Sequence, residues 1–249
     1  MKGHIHPLTQ FMRLSLRYFT DRGFEIALGP EIETEWYNFD ALNVPATHPS
    51  RDVQDTFWVK PNPSVALAKG DGVRQVLRTH TTATDVRVIK EKNLQPPLKL
   101  IIPGRCFRNE ATDQSHEHTF YQIDGIAVDR DLNMGHLIGL LDGYMKELFG
   151  EKIKTRVRPH LYPFVEPGMD MDIWISQKSK VKSQNGGKWQ EMLGAGMAHP
   201  IVLKNMGIDP DQYQAIMFGM GIDRYMMQYF EIDDIRLSYS GDLRFLKQF

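Results

Sequence analysis

Seven short extended segments, most of them joined by connections of hairpin length, constrain this chain more than any other feature of its sequence. They run over Leu98–Ile102, Arg105–Glu110, Phe120–Val128, Lys154–Arg158, Met169–Ser176, Trp189–Gly194 and Gln214–Phe218. A parallel strand pair needs a crossover of about a dozen residues or more, whereas an antiparallel pair closes through a short turn. The joins therefore favour an α+β chain with an antiparallel sheet over a doubly wound one. Two amphipathic helices would flank that sheet. In Pro7–Arg22, Leu8, Phe11, Met12, Leu16 and Phe19 fall at helical spacing, with proline in the first turn and Gly23 at the stop. In the second, Leu137, Leu140, Leu141, Tyr144, Met145 and Leu148 form one apolar stripe that Gly150 ends. Gln177–Lys188, rich in Ser, Gly, Asn and Lys, reads as an exposed hairpin loop.

Charge and cysteine usage narrow the function classes. Thirty Lys and Arg stand against 31 Asp and Glu, a net charge of -1, so the chain lacks the bulk positive field of a protein that holds nucleic acid through phosphates alone. Any nucleic acid needs a local patch or a partner. The single cysteine, Cys106, makes neither an intrachain disulfide nor a multi-cysteine zinc site, which points to a reducing compartment and a cytoplasmic reading. No stretch approaches the roughly 18 apolar residues of a membrane span. The 249 residues suffice for one large domain or two small ones, and no composition shift marks a boundary.

Residues two apart share a face of a strand. On that rule Arg108 and Glu110 lie together on one segment, and Phe120, Gln122 and Asp124 lie together on the return strand. If the intervening loop closes a hairpin, a guanidinium, two carboxylates, an amide and a phenyl ring line one surface. Tyr162, Phe164 and Glu166 repeat the arrangement, with Pro163 and Val165 opposite. A surface ion-pair ladder is the plain alternative and contributes about 0 to 1 kcal/mol. The ring within each polar face suits a purine and its phosphates better than open water.

The string Phe107-Arg108-Asn109-Glu110, followed by His116 and then Phe120-Tyr121-Gln122-Ile123-Asp124-Gly125, resembles motif 2 of the class II aminoacyl-tRNA synthetases. More narrowly, the chain resembles the catalytic α subunits of the phenylalanyl-tRNA synthetases. Further matching strings are Gly3-His4-Ile5-His6-Pro7-Leu8-Thr9, Gly29-Pro30-Glu31-Ile32-Glu33 as motif 1, Tyr37-Asn38-Phe39-Asp40-Ala41-Leu42-Asn43 and Leu77-Arg78-Thr79-His80-Thr81. Phe164-Val165-Glu166-Pro167, Gly219-Met220-Gly221-Ile222-Asp223-Arg224 as motif 3 and Asp242-Leu243-Arg244-Phe245-Leu246 complete the series. Each is weak alone; in this order they are specific.

The resemblance implies a class II catalytic domain, an antiparallel sheet flanked by helices, spanning residues 1–249 without a coiled coil or anticodon-binding domain. It implies activation of phenylalanine by ATP with Mg²⁺, then transfer to tRNA(Phe). Arg108 is expected between the α-phosphate and the carboxylate, Glu110 at the adenine amino group, Phe120 stacked on the base, Arg224 on its other face and at the γ-phosphate, and His116 near the tail phosphates. Glu166 matches the magnesium-associated position. His80, Thr82, Gln122 and Asp124 match the residues that hold the polar end of the amino acid, and Tyr162 and Phe164 the pair that meets its ring. Met217 and Gly219 would floor the ring pocket. A β subunit is implied as partner, with a dimer formed through motif 1 around Pro30.

Departures bear on the substrate. Asp124 stands where the family usually has glutamate, Asp85 where many bacterial relatives carry glutamine, Tyr162 where phenylalanine is commoner, and Met217 where alanine is normal. A longer side chain at Met217 fills the floor, and overpacking a fitted site costs about 1 to 3 kcal/mol. A paralogue that adenylates another amino acid, and a non-catalytic synthetase-like regulator, are the competing expectations.

Overall fold

The computed structural model describes residues 3–52, 55–60, 74–109, 117–176 and 187–249. A seven-stranded sheet forms its centre: β1 (Glu25–Ile26), β5 (Leu98–Phe107), β6 (Thr119–Asp129), β10 (Gln214–Gly221), β9 (Gly187–Ala198), β8 (Val165–Ser176) and β7 (Thr155–Pro159), in that spatial order. Every pairing is antiparallel except that of the two-residue edge strand β1 with β5. A smaller antiparallel sheet joins β2 (Ile32–Thr34), β4 (Gln75–Leu77) and β3 (Trp58–Val59). The expected α+β class with an antiparallel sheet holds.

Two expected segments, Leu98–Ile102 and Arg105–Glu110, are a single strand. Pro103 and Gly104 do not interrupt it, because the partner β6 stays in register throughout, from Leu98 opposite Val128 to Phe107 opposite Thr119. Arg108 thus lies one residue past the strand end, held by its backbone N–H to the His118 carbonyl at 2.9 Å. β8 and β9 pair from Val165 opposite Ala198 to Ser176 opposite Gly187, so the expected hairpin is framed although residues 177–186 of its loop lie outside the described residues.

Alternation along β6 divides the sheet into two unlike faces. Ile123 and Ala127 point into a core with Ile216, Phe218 and Met220 of β10. The helices Pro7–Thr20 and Met134–Phe149 cover that face, as their apolar stripes foretell. Phe19 stacks on Phe218 with ring centroids 5.0 Å apart, and Tyr144 donates to Ser15 Oγ at 2.7 Å to tie the two helices together. Their ends follow from local chemistry. The His6 ring nitrogen and the Asn133 carboxamide oxygen cap the first turns, and Gly23 and Gly150, at φ 84° and 88°, supply the left-handed backbone just beyond the last ones.

On the other face Ile126 and Val128 pack with Ala215 and Met217 against Phe39, Leu42, Val86, Ile89, Val202 and Leu203. The helices Thr82–Glu91 and Pro200–Met206, absent from the sequence expectations, supply part of this cover. The first escapes periodicity because Thr82, Thr84 and Asp85 are buried along with its apolar residues. The apolar cover ends at Ile126. Beyond it the same face of β6 continues with Asp124, Gln122 and Phe120, and the sheet opens into a cavity. Among the described residues no helix is long and apolar enough to cross a membrane.

Candidate active site

The cavity measures about 700 Å³, a volume typical of small-molecule sites. Its floor is a row across four strands in which Asp124 of β6, Gly219 of β10, Gly194 of β9 and Asp170 of β8 stand side by side. The two glycines are required by what lies above them. A Cβ on Gly194 would sit 2.5 Å from the Tyr162 hydroxyl oxygen, and one on Gly219 2.9 Å from Asp124 Oδ1. Two buried carboxylates therefore bracket a bare stretch of backbone.

Asp124 is 1% exposed. Thr82 donates its hydroxyl proton to Asp124 Oδ2, while Oδ1, over Gly219, has no partner among the described residues. Burial pushes this carboxyl up to about 6, against the pull of the Thr82 and Thr81 hydroxyls and of the Arg78 and Arg108 guanidinium groups. Behind it Asp85 is wholly buried, neither carboxyl oxygen has a described partner, and burial beside Asp124 raises it well above the carboxylate range. His80 also lines the cavity, and burial next to Arg108 lowers it to about 3, which leaves a neutral imidazole.

At the other end lie the groups expected to meet a nucleotide. Arg108 sits with its guanidinium carbon 4.9 Å from the centre of the Phe120 ring and donates through Nε to the Thr79 carbonyl at 3.3 Å. Arg224, in the first turn of the helix Ile222–Tyr229, donates to the Glu191 carbonyl at 3.0 Å. Both arginines and Phe120 line the cavity. Glu110 and His116 lie outside the described residues. The surface-ladder alternative fails for Asp124, whose partner is a threonine within the fold.

The ring pocket corrects one expectation in its path while keeping its residues. Tyr162–Glu166 is not a strand. Tyr162 and Val165 bridge across a tight turn with Pro163 and Phe164 at its corner, and β8 begins only at Val165. Tyr162 and Phe164 still line the cavity, 5.5 Å apart and stacked, but Pro163 joins them instead of facing away. The turn separates Glu166 from both. Its carboxylate is 77% exposed, 3.8 Å from His199 Nε2, and does not line the cavity. Met217 and Gly219 share the cavity face of β10 as expected, Met217 one strand position below the glycine row.

Several residues of the site escaped sequence reasoning. The Tyr162 hydroxyl donates to the fully buried Asp170 at 2.7 Å, and His160 Nδ1 and Arg158 Nη2 approach the other carboxylate oxygen at 2.9 and 3.2 Å. Asp223, buried and lining the cavity, accepts the Tyr121 N–H at 2.8 Å and the Tyr239 hydroxyl at 2.5 Å, which fixes the helix bearing Arg224 against β6. Arg78 is buried behind the floor, donating to the Arg105 carbonyl at 2.7 Å. Arg78 stands in the Leu77–Thr81 string, but nothing in that string says that its guanidinium lies behind the floor, where a side chain on Gly104 would strike it. No group of three His, Cys, Asp or Glu side chains among the described residues is placed to hold a metal ion.

Known proteins match along the whole chain. The family model described as tRNA synthetases class II core domain (F) matches residues 1–249. A phenylalanine-tRNA ligase alpha subunit of Acetivibrio thermocellus is 44% identical over 251 residues, covering 100% of this chain and 70% of the relative. Those of Caldicellulosiruptor saccharolyticus and Clostridium perfringens are 46% and 43% identical over 250 and 249 residues, each covering 99% of this chain and 69% of the relative. With a sheet, a two-ended cavity and a family model that agree from end to end, the chain belongs to the class II tRNA synthetase core domains, alongside the phenylalanine-tRNA ligase alpha subunits.

Proposed function

We propose that this chain activates phenylalanine with ATP, forming the aminoacyl-adenylate, and passes the aminoacyl group to tRNA. The carrying observation is the free oxygen of buried Asp124 at one end of an aromatic-walled cavity whose other end holds Arg108 and Phe120. An α-ammonium group completes the coordination of Asp124 Oδ1. The substrate ring then lies beside the Tyr162 and Phe164 rings, with Met217 below. The carboxylate meets Arg108, which also reaches the α-phosphate, while Phe120 offers a face to adenine and Arg224 a charge to the phosphate tail. The first step needs little proton transfer. Its demand is to hold two anions in line and to balance charge developing at phosphorus, a task for fixed guanidinium groups. The neutral His80 adds polarity without a further charge.

The relatives' designation as alpha subunits supports a β-type partner that supplies tRNA-binding surface, in keeping with the net charge of -1. Around Pro30 the apolar side chains of Ile26, Leu28 and Ile32 are exposed, Leu28 at 72%, which suits the dimer contact expected of motif 1. Magnesium enters in this reading with the ATP phosphates, as a hard cation that uses one or two carboxylates plus phosphate oxygens. No step is assigned to Glu166.

Pyrophosphate exchange across the twenty amino acids tests the reading. Phenylalanine should drive exchange above all others. Exchange driven by a different amino acid would favour a paralogous specificity, for which Met217 is the residue to examine, and none with any of the twenty would exclude adenylation.

A further inference from the structure

The strings Gly3–Thr9 and Asp242–Leu246 mark the family, yet neither contributes a residue to the active-site cavity. The fold joins the two ends of the chain beside that cavity. His6 Nδ1 accepts the Leu8 N–H at 3.1 Å, and a backbone N–H only donates, so the ring proton is on Nε2. Nε2 therefore donates to the Ser238 carbonyl at 2.9 Å, across 232 residues of chain. The next residue, Tyr239, gives its hydroxyl proton to Asp223 Oδ1 at 2.5 Å, and the Tyr121 N–H fills Oδ2 at 2.8 Å. Burial, together with the Asp223 carboxylate, raises the Tyr239 phenol, which stays protonated and donates. Asp223 and Arg224 line the cavity; Tyr239 and His6 stand behind its wall.

We propose that Tyr239 is a positioning residue for Arg224, and that His6 acts through it: the hydroxyl holds Asp223, Asp223 holds the first turn of the helix Ile222–Tyr229, and that turn sets where the Arg224 guanidinium stands. The inference rests on Arg224 meeting the ATP phosphates, as the activation reading has it. An arginine has a long, rotamer-rich side chain, and it binds well only if little freedom is left to lose when the ligand arrives. The contact that steadies the guanidinium is the Glu191 carbonyl at 3.0 Å, so its aim depends on where the backbone beneath it is fixed. Gly221 precedes the helix and offers no side-chain cap. Ile222, Tyr225 and Met226 anchor the opposite face in the core, which sets the rotation of the helix. Its first turn is pinned to β6 and to the C-terminal segment by Asp223 alone among its polar side chains with described partners on both. In this way the two terminal strings gain a part in the nucleotide end of the site without touching it.

Tyr239→Phe removes the hydroxyl and keeps the ring. ATP affinity, read by calorimetric titration in the absence of amino acid and as the ATP KM in pyrophosphate exchange, should weaken about two- to tenfold, the range of one net hydrogen bond, with the amino-acid KM within about twofold. In an Arg224→Ala background the same substitution should change ATP affinity by less than about twofold, because the arginine it positions is gone. His6→Ala should weaken ATP binding in the same sense and add nothing to Tyr239→Phe. His6→Gln, whose amide N–H replaces the donor to the Ser238 carbonyl, should recover most of that loss. An ATP affinity unchanged in Tyr239→Phe overturns the proposal. So does an effect undiminished by Arg224→Ala, which marks a general loosening of the fold and no positioning of the arginine. Equal behaviour of His6→Ala and His6→Gln overturns the part given to His6. A parent chain that binds no ATP overturns the activation reading as well, whereas a parent that binds ATP with Tyr239 indifferent overturns this inference alone.

Discussion

The Tyr162 hydroxyl donates to Asp170 Oδ1 at 2.7 Å beneath the wall of the ring pocket, and this contact gives the phenol a partner within the fold. The phenol is held away from the substrate by a carboxylate that is itself wholly buried, so the pocket meets a ligand with the ring alone. His160 stacks on Tyr162 at 4.4 Å and Phe164 stacks on it at 5.5 Å, which leaves the ring little freedom. Tyr162→Phe should therefore lower stability more than specificity. Removing one donor from a buried carboxylate costs about 1 to 3 kcal/mol, readable as a shift in the urea midpoint at constant m value. The ratio of exchange efficiencies for phenylalanine and tyrosine should move less than about threefold; a larger change would show that the hydroxyl faces the substrate.

Arg108→Ala should abolish activation and leave the fold intact. The side chain is half-buried at the cavity edge, and among the described residues it meets the Thr79 carbonyl and the face of the Phe120 ring. Loss of a donor that meets developing negative charge costs about 2.7 to 4 kcal/mol, a factor of 10² to 10³ in rate. Exchange kinetics and a thermal melt on the same preparation check both halves. Exchange at the parent rate would remove Arg108 from the reaction.

Asp124 makes the site pH-dependent in two opposite senses. Its folded value of about 6 lies above that of an exposed aspartate, so the folded state holds its proton more tightly than the unfolded one. Stability linked to this group is thus greatest below the unfolded value and is lost as pH rises through about 6. Ammonium binding runs the other way and weakens as the carboxylate protonates below about 6. Asp124→Asn should be more stable than the parent at pH 8, with the gain shrinking between about pH 6 and 4, and should lose amino-acid activation. Denaturant midpoints across that range check the first sense and the amino-acid KM of the parent checks the second. A gain that persists undiminished at pH 4 would mean that the titrating group lies elsewhere.

Met217 is buried, lines the cavity and stands between Ile126 and Gly196 in neighbouring strands. Met217→Ala should deepen the ring pocket and admit para-substituted phenylalanines, and Met217→Gly should do so further. A methylene-sized change in an apolar pocket is worth about 1 to 3 kcal/mol in discrimination, so the para-chlorophenylalanine to phenylalanine ratio should rise tenfold or more. Truncating a buried methionine also costs about 2 to 5 kcal/mol of stability, so the assay belongs well below the melting temperature. An unchanged ratio would place the thioether outside the reach of the ring.

Local pattern alone determined the parts of this protein whose structure repeats with a short period. The stripes of Phe11, Phe19, Leu137 and Leu141 specified two helices because burial selects apolar residues at every helical turn, and the alternation of Phe120, Gln122 and Asp124 specified one polar face because side chains alternate along a strand. The ordered strings from Gly3 to Leu246 carried the family. Pattern misled where tertiary contacts override period. Tyr162–Glu166 reads as a strand, yet it turns a corner so that Tyr162 can reach Asp170, and Glu166 is carried out of the site. The helix Thr82–Glu91 does not announce itself, since three of its buried residues are polar and answer to Asp124 on β6 and Arg78 just past β4. Which carboxylate keeps a free oxygen and which tyrosine is tied down were decided only by the tertiary structure. Each depends on a donor brought from a distant part of the chain, and no local pattern records the geometry of that encounter.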